Sequence, residues 1–246
     1  MNILKVISLL MNYPNEDLQQ YADDISEEIL ASREIPPVLR QRMVALSDSL
    51  CRRDLMEVQE EYGVLFDRGR SVSLLMFEHV HGEGRARGQA MVDLMENYTR
   101  NGYDITVREL PDFIPLFLEF LSQRPDIEAR QGLADVGHIF GKISARLQER
   151  ESLYAALFDA LLIIGGIQVD IDKLKAEAAT EERDDTLEAM DKVWEDEQVT
   201  FMANQSPEAD CRPQTQQAPV NKDETVPITW VDAASNSAEI STGVRS

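Results

Sequence analysis

Cysteine is scarce in this chain of 246 residues: Cys51 and Cys211 are the only two, and one of them sits in a polar tail. That excludes a disulfide framework and a zinc spacing, and it fits a reducing cytosol. Histidine is limited to three residues, so little acid–base chemistry can be built on imidazole. Basic residues are the minority, 24 Lys and Arg against 45 Asp and Glu, a net charge of −21. Such a field repels nucleic acid and anionic membrane surfaces and favours basic partners, besides keeping the chain soluble. A long hydrophobic run is also missing. Residues 153–167 form the most apolar stretch, but it is shorter than the ~20 residues of a membrane span and holds Asp159. The apolar start, Ile3 to Met11, is interrupted by Lys5, lacks a small-residue cleavage site and stops at Tyr13-Pro14, so no targeting or membrane-inserting segment is expected. Alternation in twos and repeats of fixed period are absent too.

What is present is helical periodicity. Hydrophobic residues make up 43 % of the chain, enough for a core, and they recur at three and four. Ile3, Val6, Ile7 and Leu10 mark a first helix. A second, capped by Asn15 or Asp17, carries Leu18, Tyr21, Ala22, Ile25 and Ile29 on its inner face. Pro36-Pro37 precedes a hairpin of two helices over 38–50 and 55–66. Ala86, Ala90, Met91, Leu94, Met95 and Tyr98 define an amphipathic helix ended by Asn101-Gly102. A central helix, apolar nearly all round, is predicted to begin at Glu109-Leu110-Pro111-Asp112, with Pro111 in its first turn. A long helix follows over 127–147, where Gly137 and Gly141 allow a neighbour to approach closely, and 153–167 completes the bundle. The prediction is an all-α protein: a single compact helical bundle over 1–170, a charged helix and acidic Trp/Phe motif over 171–202, and a disordered acidic tail over 203–246. Seventeen acids against seven bases follow Asp170, and Ser, Thr, Asn, Gln and Pro crowd the last segment, which is why it is expected not to pack.

Catalytic signatures are hard to find. Gly82, Gly84 and Gly88 follow no strand and lead to no Gly-Lys-Ser/Thr, so a phosphate loop is not supported. The one enzyme pattern is the pair of spacings Glu78-x-x-His81 and Asp135-x-x-His138, since a di-metal helical bundle uses Glu-x-x-His on facing helices. Solvated or capping histidines account for the same spacings. A third feature is the concentration of His, acid, Arg and Gly over residues 77–88, beside Met76, Phe77, Met91 and Phe113. Those side chains serve either as core or as an adaptable wall for a helical ligand. Glu109 and Asp112 at a helix N-terminus either complement its dipole or receive a basic group from a bound peptide.

Residues 62–91, YGVLFDRGRSVSLLMFEHVHGEGRARGQAM, and residues 109–122, ELPDFIPLFLEFLS, resemble the signature segments of the NarJ/NarW family of nitrate reductase molybdenum cofactor assembly chaperones. Residues 194–201, WEDEQVTF, are similar to the short acidic motif that ends many members, and the resemblance spans about residues 2–201. It implies a cytoplasmic, non-enzymatic helical chaperone, related to the TorD and DmsD proteins. The implied partner is the apo catalytic subunit of respiratory nitrate reductase, including its N-terminal segment, a relic of a twin-arginine signal peptide. The chaperone holds this client ready for molybdenum cofactor insertion and restrains membrane docking. The cofactor belongs to the client, so the chain itself is expected to carry none. His79, Glu109 and Asp112 lie in the matching segments as candidate partner-binding residues, with His81, Gly82, Arg87 and Pro111 as their scaffold. The physical expectation is an apolar groove with carboxylates along its rim, taking a basic amphipathic helix.

Overall fold

Helices carry the fold, each bounded by a signal of its own. The computed structural model describes residues 1–80, 85–105, 109–189 and 191–192. His81, Gly82, Trp194, Phe201 and the tail over 203–246 lie outside the described residues. The elements are α1 (Asn2–Met11), α2 (Glu16–Gln20), α3 (Ala22–Ala31), α4 (Pro37–Cys51), α5 (Leu55–Phe66), a 3-10 turn (Met76–His79) and α6 (Arg85–Arg100). They continue with α7 (Ile114–Ser122), α8 (Asp126–Asp135), α9 (Gly137–Glu149), α10 (Ala155–Ile164) and α11 (Ile171–Ala178). Asn15 caps α2 by accepting from the Leu18 N–H at 2.8 Å, and Asp54 caps α5 through the Met56 and Glu57 N–H groups. Pro37 opens α4, where its missing donor costs nothing. Among the described residues there is no strand, only an isolated antiparallel bridge between Leu75 and Phe113.

The core is built where two nearly all-apolar helices find partners. α7 packs on α1, and α10 packs on α9 and α4. Ile3, Leu4, Ile7 and Leu10 of α1 are buried against this centre, as are Ile114, Leu118 and Leu121 of α7 and Leu157, Phe158 and Leu161 of α10. Buried polar groups along these seams are paired. The Ser8 hydroxyl of α1 donates to the Pro115 carbonyl of α7 at 2.8 Å. Asp159, the charge inside the apolar run, accepts from Ser144 at 2.6 Å and pairs with Arg42 at 2.7 Å. Its position in α10 thus ties α9 and α4 together, because an unpaired carboxylate there would be costly.

Several boundaries differ from the sequence expectation, each for a local reason. The second helix breaks at Tyr21 (φ −97, ψ 19), which turns that ring outward, while Leu18, Ile25 and Ile29 stay buried. The helix over 127–147 divides at Val136 (φ −105, ψ 6) into α8 and α9. The close approach at Gly137 and Gly141 is real, but much of what approaches is the return segment after α10. A β-carbon on Gly137 would lie 2.5 Å from Ile167, and one on Gly141 would lie 3.3 Å from Val169 and 3.2 Å from Leu174 of α11. The central helix starts at Ile114, not at Glu109: Phe113 is its N-cap and Pro115, not Pro111, takes its first turn. Of the expected inner face of α6, only Tyr98 is fully buried; Ala90, Met91 and Leu94 are half-buried, and Ala86 and Met95 are exposed.

Candidate functional site

Residues 109–114 leave the helix because they are held in a backbone joint. Met76 N–H donates to the Asp112 carbonyl at 3.0 Å, and Ile114 N–H donates to the Leu74 carbonyl at 2.8 Å. The Asp112 side chain is fully buried and accepts from the Phe77 N–H at 3.1 Å, while its Oδ1 has no hydrogen-bond partner. Burial pushes the Asp112 carboxyl above the usual range; the Phe77 N–H and the Arg87 charge oppose that shift. Arg87 reaches from α6 to Glu78 at 3.5 Å, and Tyr98 donates to the Pro111 carbonyl at 2.8 Å. The joint therefore gathers Arg87, Pro111 and Asp112 against the turn that ends in His79, and it pins the otherwise lightly packed α6. Glu109 is set apart from them as an exposed residue. Asp112 is not a carboxylate at a helix N-terminus, since the helix begins beyond it. Met76 is core, whereas Phe77 and Phe113 lie against the core without being fully buried.

His79 is also turned inward. Its Nε2–H donates to the Ser73 carbonyl at 2.8 Å. Burial depresses its pKa below the ordinary 6.5, the Ser73 bond opposes this, and the Arg146 charge adds to the depression. The unfolded chain therefore binds the extra proton first as pH falls. His79 supports the fold fully above its unfolded pKa and loses that support as pH drops through it towards the depressed folded value. In thermal unfolding between about pH 7.5 and about pH 5.5, His79→Gln is expected to lose less stability than the parent. Equal losses would contradict the assignment.

The proposed metal spacing is not formed by the second pair. Asp135 ends α8 and His138 lies in α9, so the break at Val136 separates them, and both side chains are exposed. Among the described residues no group of three or more His, Cys, Asp or Glu could hold a metal ion.

A cavity of about 450 Å³ opens elsewhere, between α4, α5 and the turn that joins α9 to α10. Leu46, Leu50, Val58, Tyr62, Leu65 and Leu153 give it an apolar floor, with Tyr154 beside them. Tyr62 is anchored by donating to the Met11 carbonyl at 2.9 Å; it meets Tyr154 edge-on and Phe66 at a tilt, and Phe66 meets Tyr154 edge-on. The Tyr154 hydroxyl is buried without a partner, and burial drives its pKa well upward. Glu60, Glu61, Glu151 and Asp185 contribute carboxylates, and Arg150 and Arg183 contribute cations. The cations are engaged by Asp185, and Arg53 forks onto Glu61. Among the described residues Glu60 and Glu151 have no ion-pair partner.

Glu151 owes its place to a helix ending. It sits at φ 54, the left-handed region, as the residue after the α9 cap. Its N–H donates to the Gln148 carbonyl and the Ser152 N–H donates to the Leu147 carbonyl, a Schellman ending. Glycine normally fills that position, because a β-carbon there costs about 1–2 kcal/mol. Here the ending keeps a carboxylate at the cavity mouth instead. Sequence reasoning missed this cavity. The readable hints were Glu60-Glu61 beside the inward-facing Val58 and Tyr62, and a loop at 150–153 without glycine.

Residues 32–160 match the family described as nitrate reductase delta subunit. The chain is 47 % identical over 201 residues to the nitrate reductase molybdenum cofactor assembly chaperone NarJ of Escherichia coli K12, covering 82 % of this chain and 85 % of that protein. It is 44 % identical over 216 residues to the probable nitrate reductase molybdenum cofactor assembly chaperone NarW of the same strain, covering 88 % and 90 %. A probable NarJ chaperone of Bacillus subtilis is 27 % identical over 158 residues, covering 63 % and 84 %.

Proposed function

This chain belongs to the NarJ/NarW family of nitrate reductase molybdenum cofactor assembly chaperones, and on that premise we propose that it binds the apo catalytic subunit of respiratory nitrate reductase in the cytoplasm. It is a chaperone and not an enzyme. The part of the client it receives is the N-terminal segment, held while the molybdenum cofactor is inserted and before the enzyme docks on the membrane. The observation that carries this reading is the cavity between α4, α5 and the α9–α10 turn, with an apolar floor and two carboxylates, Glu60 and Glu151, that have no ion-pair partner among the described residues. A segment derived from a twin-arginine signal is basic and amphipathic as a helix. Its apolar face matches Leu50, Leu65 and Leu153, and its cations match Glu60 and Glu151. Among the described residues no helix is long and apolar enough to cross a membrane.

In this reading the joint of Arg87, Pro111 and Asp112 sets where α6 and α7 stand, and Glu109, which is exposed, is available to touch the client elsewhere. Titrating a synthetic peptide of the client's N-terminal segment into the chaperone by calorimetry tests the proposal. One-to-one binding is expected, weaker at about 0.5 M than at about 0.05 M salt, because exposed carboxylates steer a cation through a screened field. An absence of heat at both concentrations contradicts it.

A further inference from the structure

One wall of the cavity is a segment that carries almost no apolar anchor. Residues 179–186 cross from α11 back over the end of α9, and no residue between 171 and 189 is fully buried. Charge holds this strap instead. Arg146 and Arg150, one helical turn apart in and just after α9, face it together. Arg146 forks onto Glu181 at 2.7 and 2.9 Å and donates to the Ser71 carbonyl at 2.8 Å. Arg150, only 10 % exposed in its side chain, pairs with Asp184 at 2.9 Å and lies 3.5 Å from Asp185. Ser71 completes the latch: its N–H and hydroxyl both donate to Asp184, at 2.7 and 2.6 Å. Room for that carboxylate exists because residue 69 is glycine; a β-carbon there would lie 2.5 Å from the Asp184 carboxyl carbon. Beyond the latch, Arg183 and Asp185 of the strap line the cavity itself.

We propose that residues 179–186 form a displaceable gate, latched through Asp184 to Ser71 and Arg150, which a basic client segment opens as it enters the cavity. The inference rests on the reading of the cavity as the client site. The Arg146–Glu181 and Arg150–Asp184 pairs are partly exposed and therefore weakened by solvent and salt, and the more buried Arg150–Asp185 contact is long at 3.5 Å, so the open state lies within reach of a competing cation. Burial pushes the Asp184 carboxyl up, but Ser71 and Arg150 outweigh it and hold the group below its ordinary range, so the latch is charged at neutral pH. Asp185, in the cavity wall, is held ionised by Arg183 and Arg150 in the same way. An entering cation has these carboxylates as its nearest alternative partners, so binding energy and gate opening are coupled.

The test locks the gate. Gly69→Cys with Asp184→Cys, in full-length protein carrying Cys211→Ser, places two thiols where the backbone and carboxylate already touch. The probe is the synthetic N-terminal peptide of the catalytic subunit. The oxidised form is expected to bind it at least about tenfold more weakly than the same protein reduced, the shift produced when an open state falls from dominant to about a tenth of the population. Asp184→Asn is expected to bind more tightly than the parent and to speed hydrogen exchange within residues 179–186. Equal affinity of oxidised and reduced protein overturns the gate and leaves the client site standing. Failure of the parent, the reduced form and Asp184→Asn to bind at all overturns the client site and the gate with it.

Discussion

Leu153→Asp is expected to lower affinity for the client's N-terminal segment by about 2–3 kcal/mol, roughly a hundredfold, the loss typical of a central interface residue. Leu153 lines the cavity and is 48 % exposed, so about half of it is open to a client rather than packed in the fold. An aspartate there removes apolar contact area and places a carboxylate where the client's apolar face must rest, unpaired and desolvated once the complex forms. Thermal stability should change little, because surface substitutions away from special features stay within about 0.5 kcal/mol. Calorimetry and a melting curve on one preparation separate the two effects. Retained affinity would place the client outside this cavity; a collapse of stability would mean that Leu153 serves the core.

Glu151→Gly should move stability and binding in opposite directions. The left-handed backbone at φ 54 disfavours any residue with a β-carbon. Glycine relieves that strain but gains freedom in the unfolded chain, so the net stabilisation is about 0.5–1 kcal/mol. For a domain of this size that is an increase of about 2 °C in melting temperature. Loss of the carboxylate at the cavity mouth is expected to weaken peptide binding by about 0.5–1 kcal/mol, mostly at low salt. A functional site that gives up stability for a charge in an unfavourable conformation would show this signature. A variant that is both more stable and equally competent to bind would reduce Glu151 to an accident of the helix ending.

Much of the fold was legible because the apolar positions of α1, α4 and α5 recur at the helical period, α7 and α10 read as short continuous apolar runs, and Asn15, Pro37 and Asp54 mark the starts of α2, α4 and α5. Where reading failed, a distant partner decided the outcome. Pro111 and Pro115 both suit a first helical turn. The choice fell to Pro115 because the main chain at 112–114 bonds to residues 74–76, a pairing no local pattern encodes. The same bridge buried Asp112, which composition alone would place in water. Of the seven candidates named from two sequence segments, Arg87, Pro111 and Asp112 meet in one joint, His79 turns to the Ser73 carbonyl, Glu109 is exposed, and His81 and Gly82 lie outside the described residues. The cavity was illegible for a different reason. Its floor comes from α4, α5 and the α9–α10 turn, far apart in sequence, and each of its apolar residues reads locally as ordinary core. Tyr21 and Val136 illustrate the smaller errors: a single residue off the helical region shortens an element without leaving a proline or glycine as a sign.

The claim that the client enters between α4, α5 and the α9–α10 turn can be tested by placing a photo-reactive benzoyl-phenylalanine at Glu60, an exposed lining residue, in cells that make the catalytic subunit but no molybdenum cofactor. The same probe at Ile127, exposed on α8 and outside the cavity lining, serves as the control. Illumination is predicted to join position 60, and not position 127, to the N-terminal segment of the apo catalytic subunit. Cross-links from position 127 alone, or from position 60 to other regions of that subunit, would contradict the account.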